Sequence, residues 1–167
     1  MEKKLFLSLF LMTFWMAGMA QTRYVTSTEE ADFHGYDLVS YHQDEGPLKG
    51  KSEFKSNYDG LVLYFASSAN KKLFDANPEQ YIPAYGGYCA TAISNGNLVT
   101  PDFENFSIQN DQLLLFEVRG FFNGKTQWMK NPEKHKLKAD KNYSDVINTD
   151  DKSILLTDQS GGTGYVL

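Results

Sequence analysis

The sequence predicts a small single α+β domain of two antiparallel strand pairs with several short helices. Three observations carry this. Two pairs of apolar, β-branched or aromatic runs are each joined by a tight-turn tetrapeptide, at 57–60 and 109–112. The tripeptide Asn-Pro-Glu occurs twice, at 77–79 and 131–133, and each time reads as a helix start: Asn as N-cap, Pro at N1, an acid in the first turn. Strand pairs and helices fall in blocks rather than alternating, which argues against a parallel α/β sheet. The recurrence of Asn-Pro-Glu also suggests two similar halves.

Taken in order, residues 1–20 read as a signal peptide. Lys3 and Lys4 give a basic start, and 5–16 are apolar apart from Ser8 and Thr13. Ala17, Gly18, Met19 and Ala20 then offer a cleavage site. The apolar run is short for a membrane span, so cleavage is favoured over a retained anchor, leaving no span in the mature chain. Residues 21–33 are a polar lead-in and 34–147 are the folded domain. Residues 148–167, polar and Gly-rich, are a flexible tail. The first strand pair is expected at 52–58 and 61–65, with Asp59-Gly60 as the hairpin signal. Ser67 or Ser68 caps a helix that carries Leu73 and Phe74 on one face. The second pair is expected at 106–108 and 113–118. A helix over 121–129 and a longer one from Asn131 towards Tyr143 complete the domain.

Removal of the signal peptide takes away Lys3, Lys4 and Glu2. The 16 basic and 21 acidic residues then become 14 and 20, a net charge of −6. Phosphate recognition needs clustered Lys and Arg, so nucleic acid is excluded as a partner. Export places the chain in the periplasm or outside the cell. Its one cysteine, Cys89, cannot close an internal disulfide there.

Three stretches look like the makings of a site. Tyr85, Gly86, Gly87 and Tyr88 lead into Cys89. The glycines permit a positive φ or close backbone approach, either as a packing elbow or as a pocket floor. Asp37 lies in an otherwise core-like run with Tyr41 and His42, as a cap residue or as part of a buried polar network. A cluster of Asp37, Tyr41 and Cys89 is the favoured arrangement. Cys89 also falls where a helix through Ala90, Ala92 and Ile93 would begin, a position that favours a thiolate. His34, His42 or His135 could join it to hold Zn or Cu(I), although none lies at a recognised ligand spacing.

Three segments together resemble the YHS-domain family. These are Gly35 through His42, then Tyr64 through Phe74 continuing to Asn77-Pro78-Glu79-Gln80-Tyr81, and finally Tyr85 through Ala90. Order and spacing are similar to the exported, single-domain branch, and the likeness extends more loosely to about Tyr143. The resemblance implies a link to metals, since short members are similar to metal-binding treble-clef modules. Where those members place cysteines, this sequence has Ala66 and Asn70. Alanine has no donor atom and a neutral amide oxygen suits a soft metal poorly.

The first reading is therefore an exported YHS-like binding module involved in metal handling, with Cys89 and His42 as ligands and Cu(I) or Zn as the metal. Its partner would be the metal ion or another exported protein. The second is a non-metal interaction or structural domain with Cys89 buried. The third is a thiol-dependent enzyme, less favoured because no Cys-His-Asn pattern is present.

Overall fold

The computed structural model describes Tyr24, Val25 and residues 31–148. The signal peptide and nearly all of the tail expected from the sequence lie outside the described residues, as does most of the lead-in. Two short 3-10 turns, Phe33–Gly35 and Ser40–His42, precede the first hairpin of β1 (Lys51–Tyr58) and β2 (Leu61–Phe65). Helices α1 (Ser68–Ala76) and α2 (Pro78–Tyr81) follow, then a 3-10 turn at Ala84–Gly87 and helix α3 (Ala90–Ser94). The second hairpin is β3 (Asp102–Gln109) and β4 (Gln112–Phe116). A small hairpin of β5 (Val118–Arg119) and β6 (Phe122–Asn123) leads into α4 (Gly124–Trp128) and α5 (Pro132–Asn148). Each antiparallel pair is its own two-stranded sheet. No helix among the described residues is long and apolar enough to cross a membrane.

The local causes are those expected at most junctions. Asp59 and Gly60 both take positive φ, 46° and 84°, as a two-residue hairpin turn requires. Ser67 caps α1 by accepting from the Asn70 N–H at 3.1 Å. Asn131 caps α5 by accepting from the Lys134 N–H at 3.2 Å. Residues 121–129 depart from the single helix expected there. They are not one helix, because Gly120, at φ 57°, turns the chain into the β5–β6 hairpin first. Helix α4 begins only where the Asn123 side chain accepts from the Thr126 N–H. Strand β3 starts at Asp102, four residues before the expected run, because its first pair lies across a bulge where alternation breaks down.

Two similar halves emerge from the pairing. In the first hairpin Lys51 pairs with Phe65, and after a bulge Lys55 pairs with Tyr64. Fifty-one residues further on, Asp102 pairs with Phe116 and, after the same bulge, Phe106 pairs with Leu115. The Asp37 N–H donates to the Leu48 carbonyl at 2.8 Å, and the Cys89 N–H donates to the Val99 carbonyl at 2.9 Å. A left-handed run precedes each: Phe33, His34 and Gly35 at φ 51°, 50° and 68°, then Tyr85, Gly86 and Gly87 at 55°, 62° and 83°. Asp37 and Cys89 are thus equivalent positions.

Strand β4 joins the halves. Leu113 and Leu115 face a core built on Phe33, Leu38, Phe65 and Phe74. Leu114 and Phe116 face a second core around Cys89, Ile93, Trp128 and Ala139. A strand buried on both faces reads as a continuous apolar run, and Leu113-Leu114-Leu115-Phe116 is one.

Candidate functional site

Asp37 is fully buried. Its Oδ1 accepts from the Val39 N–H at 2.9 Å and the Ser40 N–H at 3.3 Å. Its Oδ2 accepts from the Ala66 N–H at 2.8 Å and the Asn70 side-chain amide at 2.7 Å. The Asn70 amide is shared with Gln43, at 3.1 and 3.2 Å. Positions 66 and 70, where the resemblance implies metal-binding cysteines, therefore turn N–H donors inward onto a carboxylate. They knit the first 3-10 region to the start of α1. A carboxylate so saturated by donors holds backbone together rather than a cation.

Cys89 repeats this arrangement with a sulfur. It is fully buried and is the N-cap of α3. Backbone N–H groups of Thr91, Ala92 and Glu117 favour its thiolate form from the places that Val39, Ser40 and Ala66 hold around Asp37, but its side chain makes no cap hydrogen bond on α3. Burial pushes the thiol pKa up and outweighs the opposing backbone donors. A raised pKa is the reverse of what a nucleophilic cysteine needs. Sγ also lies against the backbone of Gly124, where an added Cβ would sit 3.3 Å from it.

Asp37 and Cys89 do not meet, because they occupy equivalent places in different halves. Tyr41 belongs to the first core, and its hydroxyl donates to the Phe103 carbonyl at 2.7 Å. Burial pushes its pKa up. The three histidines pack on three different rings: His34 on Phe103, His42 on Tyr81 and His135 on Trp128. His135 Nδ1 also lies 2.9 Å from the Ser94 hydroxyl. The His42 Nε2 is buried without a hydrogen-bond partner among the described residues, and burial lowers the His42 pKa. Among the described residues no group of three or more His, Cys, Asp or Glu could hold a metal.

The Tyr85–Tyr88 segment has a different character. Tyr85 is a bulky residue held in the left-handed region, a conformation that persists only where its surroundings enforce it. Its hydroxyl donates to Asp140 on α5 at 2.9 Å, and burial raises its pKa. Gly87 cannot be replaced without movement, since a Cβ there would meet the Phe33 ring at 2.5 Å. The Gly86 carbonyl accepts from the Val25 N–H at 2.8 Å, and Val25 is buried. Part of the expected lead-in thus packs onto this segment. The Tyr88 hydroxyl reaches the Tyr24 carbonyl at 3.5 Å.

Tyr85 and Gly86 line a groove of about 410 Å³. Its other walls include Tyr24, Tyr58, Asp59, Glu79 and Tyr143. The volume falls in the range of small-molecule sites, roughly 300–1,000 Å³. A second cavity on the other side of Tyr85, beside Trp128, measures about 40 Å³ and has room for no more than water. Of the segment singled out in the sequence, Tyr85 and Gly86 line the groove, whereas Gly87 and Tyr88 do not. Tyr24, Tyr58 and Tyr143 come from three distant segments, and the only signal was the count of ten tyrosines.

Residues 39–85 match the family model of the YHS domain. The match runs from the Asp37 network through Asn70 to Tyr85 at the groove. No curated protein and no solved structure matches the chain.

Proposed function

With residues 39–85 forming a YHS domain, we propose that this chain is an exported binding module that takes a small ligand in its tyrosine-lined groove without using a metal. YHS domains are associated with metal handling in general, copper included. The donor set of this chain does not fit that role. Its only thiol is enclosed in the second core, and Ala66 and Asn70 present donors where a cation would need acceptors. A soft metal on Cys89 and His42 has the family association as its support and no ligand geometry.

The observation that carries the groove reading is the convergence of Tyr24, Tyr58, Tyr85 and Tyr143 from separate segments on one opening. Tyr85 and Gly86, which line it, hold positive φ angles. The left-handed turn sets the Tyr85 ring at the wall of a groove of about 410 Å³. The export reading rests on the basic and apolar pattern of residues 1–20. With Cys89 as a core residue, the thiol-dependent enzyme loses its nucleophile.

The test is a ¹H–¹⁵N NMR screen of the protein from Gln21 onward against small metabolites. Ligands of the groove shift the amides of Asp59, Gly86 and Gln112 together, and do so equally in Cys89→Ser. Hits that leave these amides still, or that vanish in Cys89→Ser, refute the reading.

A further inference from the structure

We propose that the groove recognises an organic ammonium ion, an alkylated or quaternary nitrogen carried on a small molecule. This rests on the groove being the ligand site and adds the class of ligand. Four tyrosines and two carboxylates line it, and no Lys, Arg or His does among the described residues. The faces of aromatic rings carry negative potential and attract cations, most of all cations shielded by methyl or methylene groups. Such a nitrogen sheds its water more easily than a bare ammonium and gains from ring contact on several sides.

The arrangement of rings suits this. Tyr85 and Tyr143 meet edge to face, with centroids 5.8 Å apart and planes at 76°, and both line the groove. Tyr24 is fixed by its hydroxyl, which donates to Asp59 Oδ2 at 3.0 Å. Asp59 stands at the tip of the first hairpin, beside Tyr58, and Glu79 in the first turn of α2. The two carboxylates therefore come from separate elements and share one opening, where they supply charge beside the rings. An anionic ligand would meet uncompensated repulsion here. A neutral one would make no use of the charge that Asp59 and Glu79 bring to the opening.

Choline and its uncharged carbon isostere 3,3-dimethylbutanol separate these cases. Both are titrated into the ¹⁵N-labelled protein, into Glu79→Gln, and into the double variant Asp59→Asn with Glu79→Gln. Glu79 is exposed, and asparagine tolerates the positive φ of residue 59, so both variants keep the fold. The proposal predicts that choline shifts the groove amides and binds on the order of tenfold more tightly than the isostere. It predicts a loss of about two- to fivefold in Glu79→Gln and a larger loss in the double variant, both diminished by salt. Equal binding of choline and the isostere, or unchanged choline binding in the double variant, overturns the ammonium assignment and leaves the groove as a site for neutral ligands. Failure of choline to shift the groove amides at tens of millimolar overturns the assignment as well. In that event the metabolite screen still decides whether the groove binds anything.

Discussion

Removing the Asp37 carboxylate should be among the most damaging single changes in this domain. In Asp37→Ala four N–H donors lose their acceptor. The Ser40 N–H keeps a bond to the Asp37 carbonyl at 3.1 Å. The Val39 N–H, the Ala66 N–H and the Asn70 amide are left facing the hole. A buried donor without a partner costs about 1–3 kcal/mol. Three of them give roughly 3–9 kcal/mol. Ala66 and Gln43 are only partly buried, so water can enter and relieve some of this. The expected loss is about 4 kcal/mol, or a drop in melting temperature of roughly 15 °C for a chain of this size. Asp37→Asn should fall between, because it keeps one oxygen and turns an NH₂ towards N–H donors. Urea unfolding followed by far-UV circular dichroism measures both. A loss below about 1 kcal/mol in Asp37→Ala would refute the claim that this carboxylate ties the 3-10 region to α1.

Three further outcomes follow from the same geometry. The buried, pKa-raised Cys89 thiol should resist iodoacetamide at neutral pH until denaturant unfolds the chain, and rapid labelling of the native protein would restore the thiol-enzyme reading. Gly87→Ala should cost about 2–4 kcal/mol, from the positive φ and the clash with Phe33, and should weaken groove ligands; a neutral effect in thermal melts would show that the segment relaxes freely. The folded-state pKa of His42 is lowered from 6.5 by burial, so above 6.5 both states are neutral and stability is flat. Below 6.5 the unfolded chain takes up the proton first, so stability falls with a limiting slope of about 1.4 kcal/mol per pH unit until the folded-state pKa is passed. His135 adds in the same direction, hence the control is His42→Phe, which should flatten part of the slope between pH 6.5 and 5; an unchanged slope would remove His42 from the account.

The hairpins and helix starts were legible in the sequence because their causes are local. Asp59-Gly60 dictates its own turn, and Ser67 and Asn131 cap the residues that follow them. The β5–β6 hairpin was not legible, because Phe121, Phe122 and Trp128 are as apolar as a helix face and only Gly120 marks the break. Asn-Pro-Glu hinted at two halves, yet their real correspondence lies in which backbone groups Asp37 and Cys89 receive. A carboxylate and a thiol share no residue-type signature, so the equivalence appears only in the shared hairpin register and the shared backbone pairing to Leu48 and Val99. The same limit hid the groove. Tyr85 and Gly86 stood out as a local motif, whereas Tyr24, Tyr58 and Tyr143 meet them only through folding. His34, His42 and His135 looked like a pool of ligands, but each is taken up by a different aromatic contact.

The central claim is that this domain, whose residues 39–85 match the YHS model, binds its ligand without a soft metal, its one thiol being a core residue. Titration of Cu(I) into the protein from Gln21 onward, against a calibrated chelator and with Cys89→Ser alongside, addresses it most directly. The account predicts no stoichiometric Cu(I) complex in either protein and identical curves for the two. A one-to-one complex in the native protein that disappears in Cys89→Ser would contradict it.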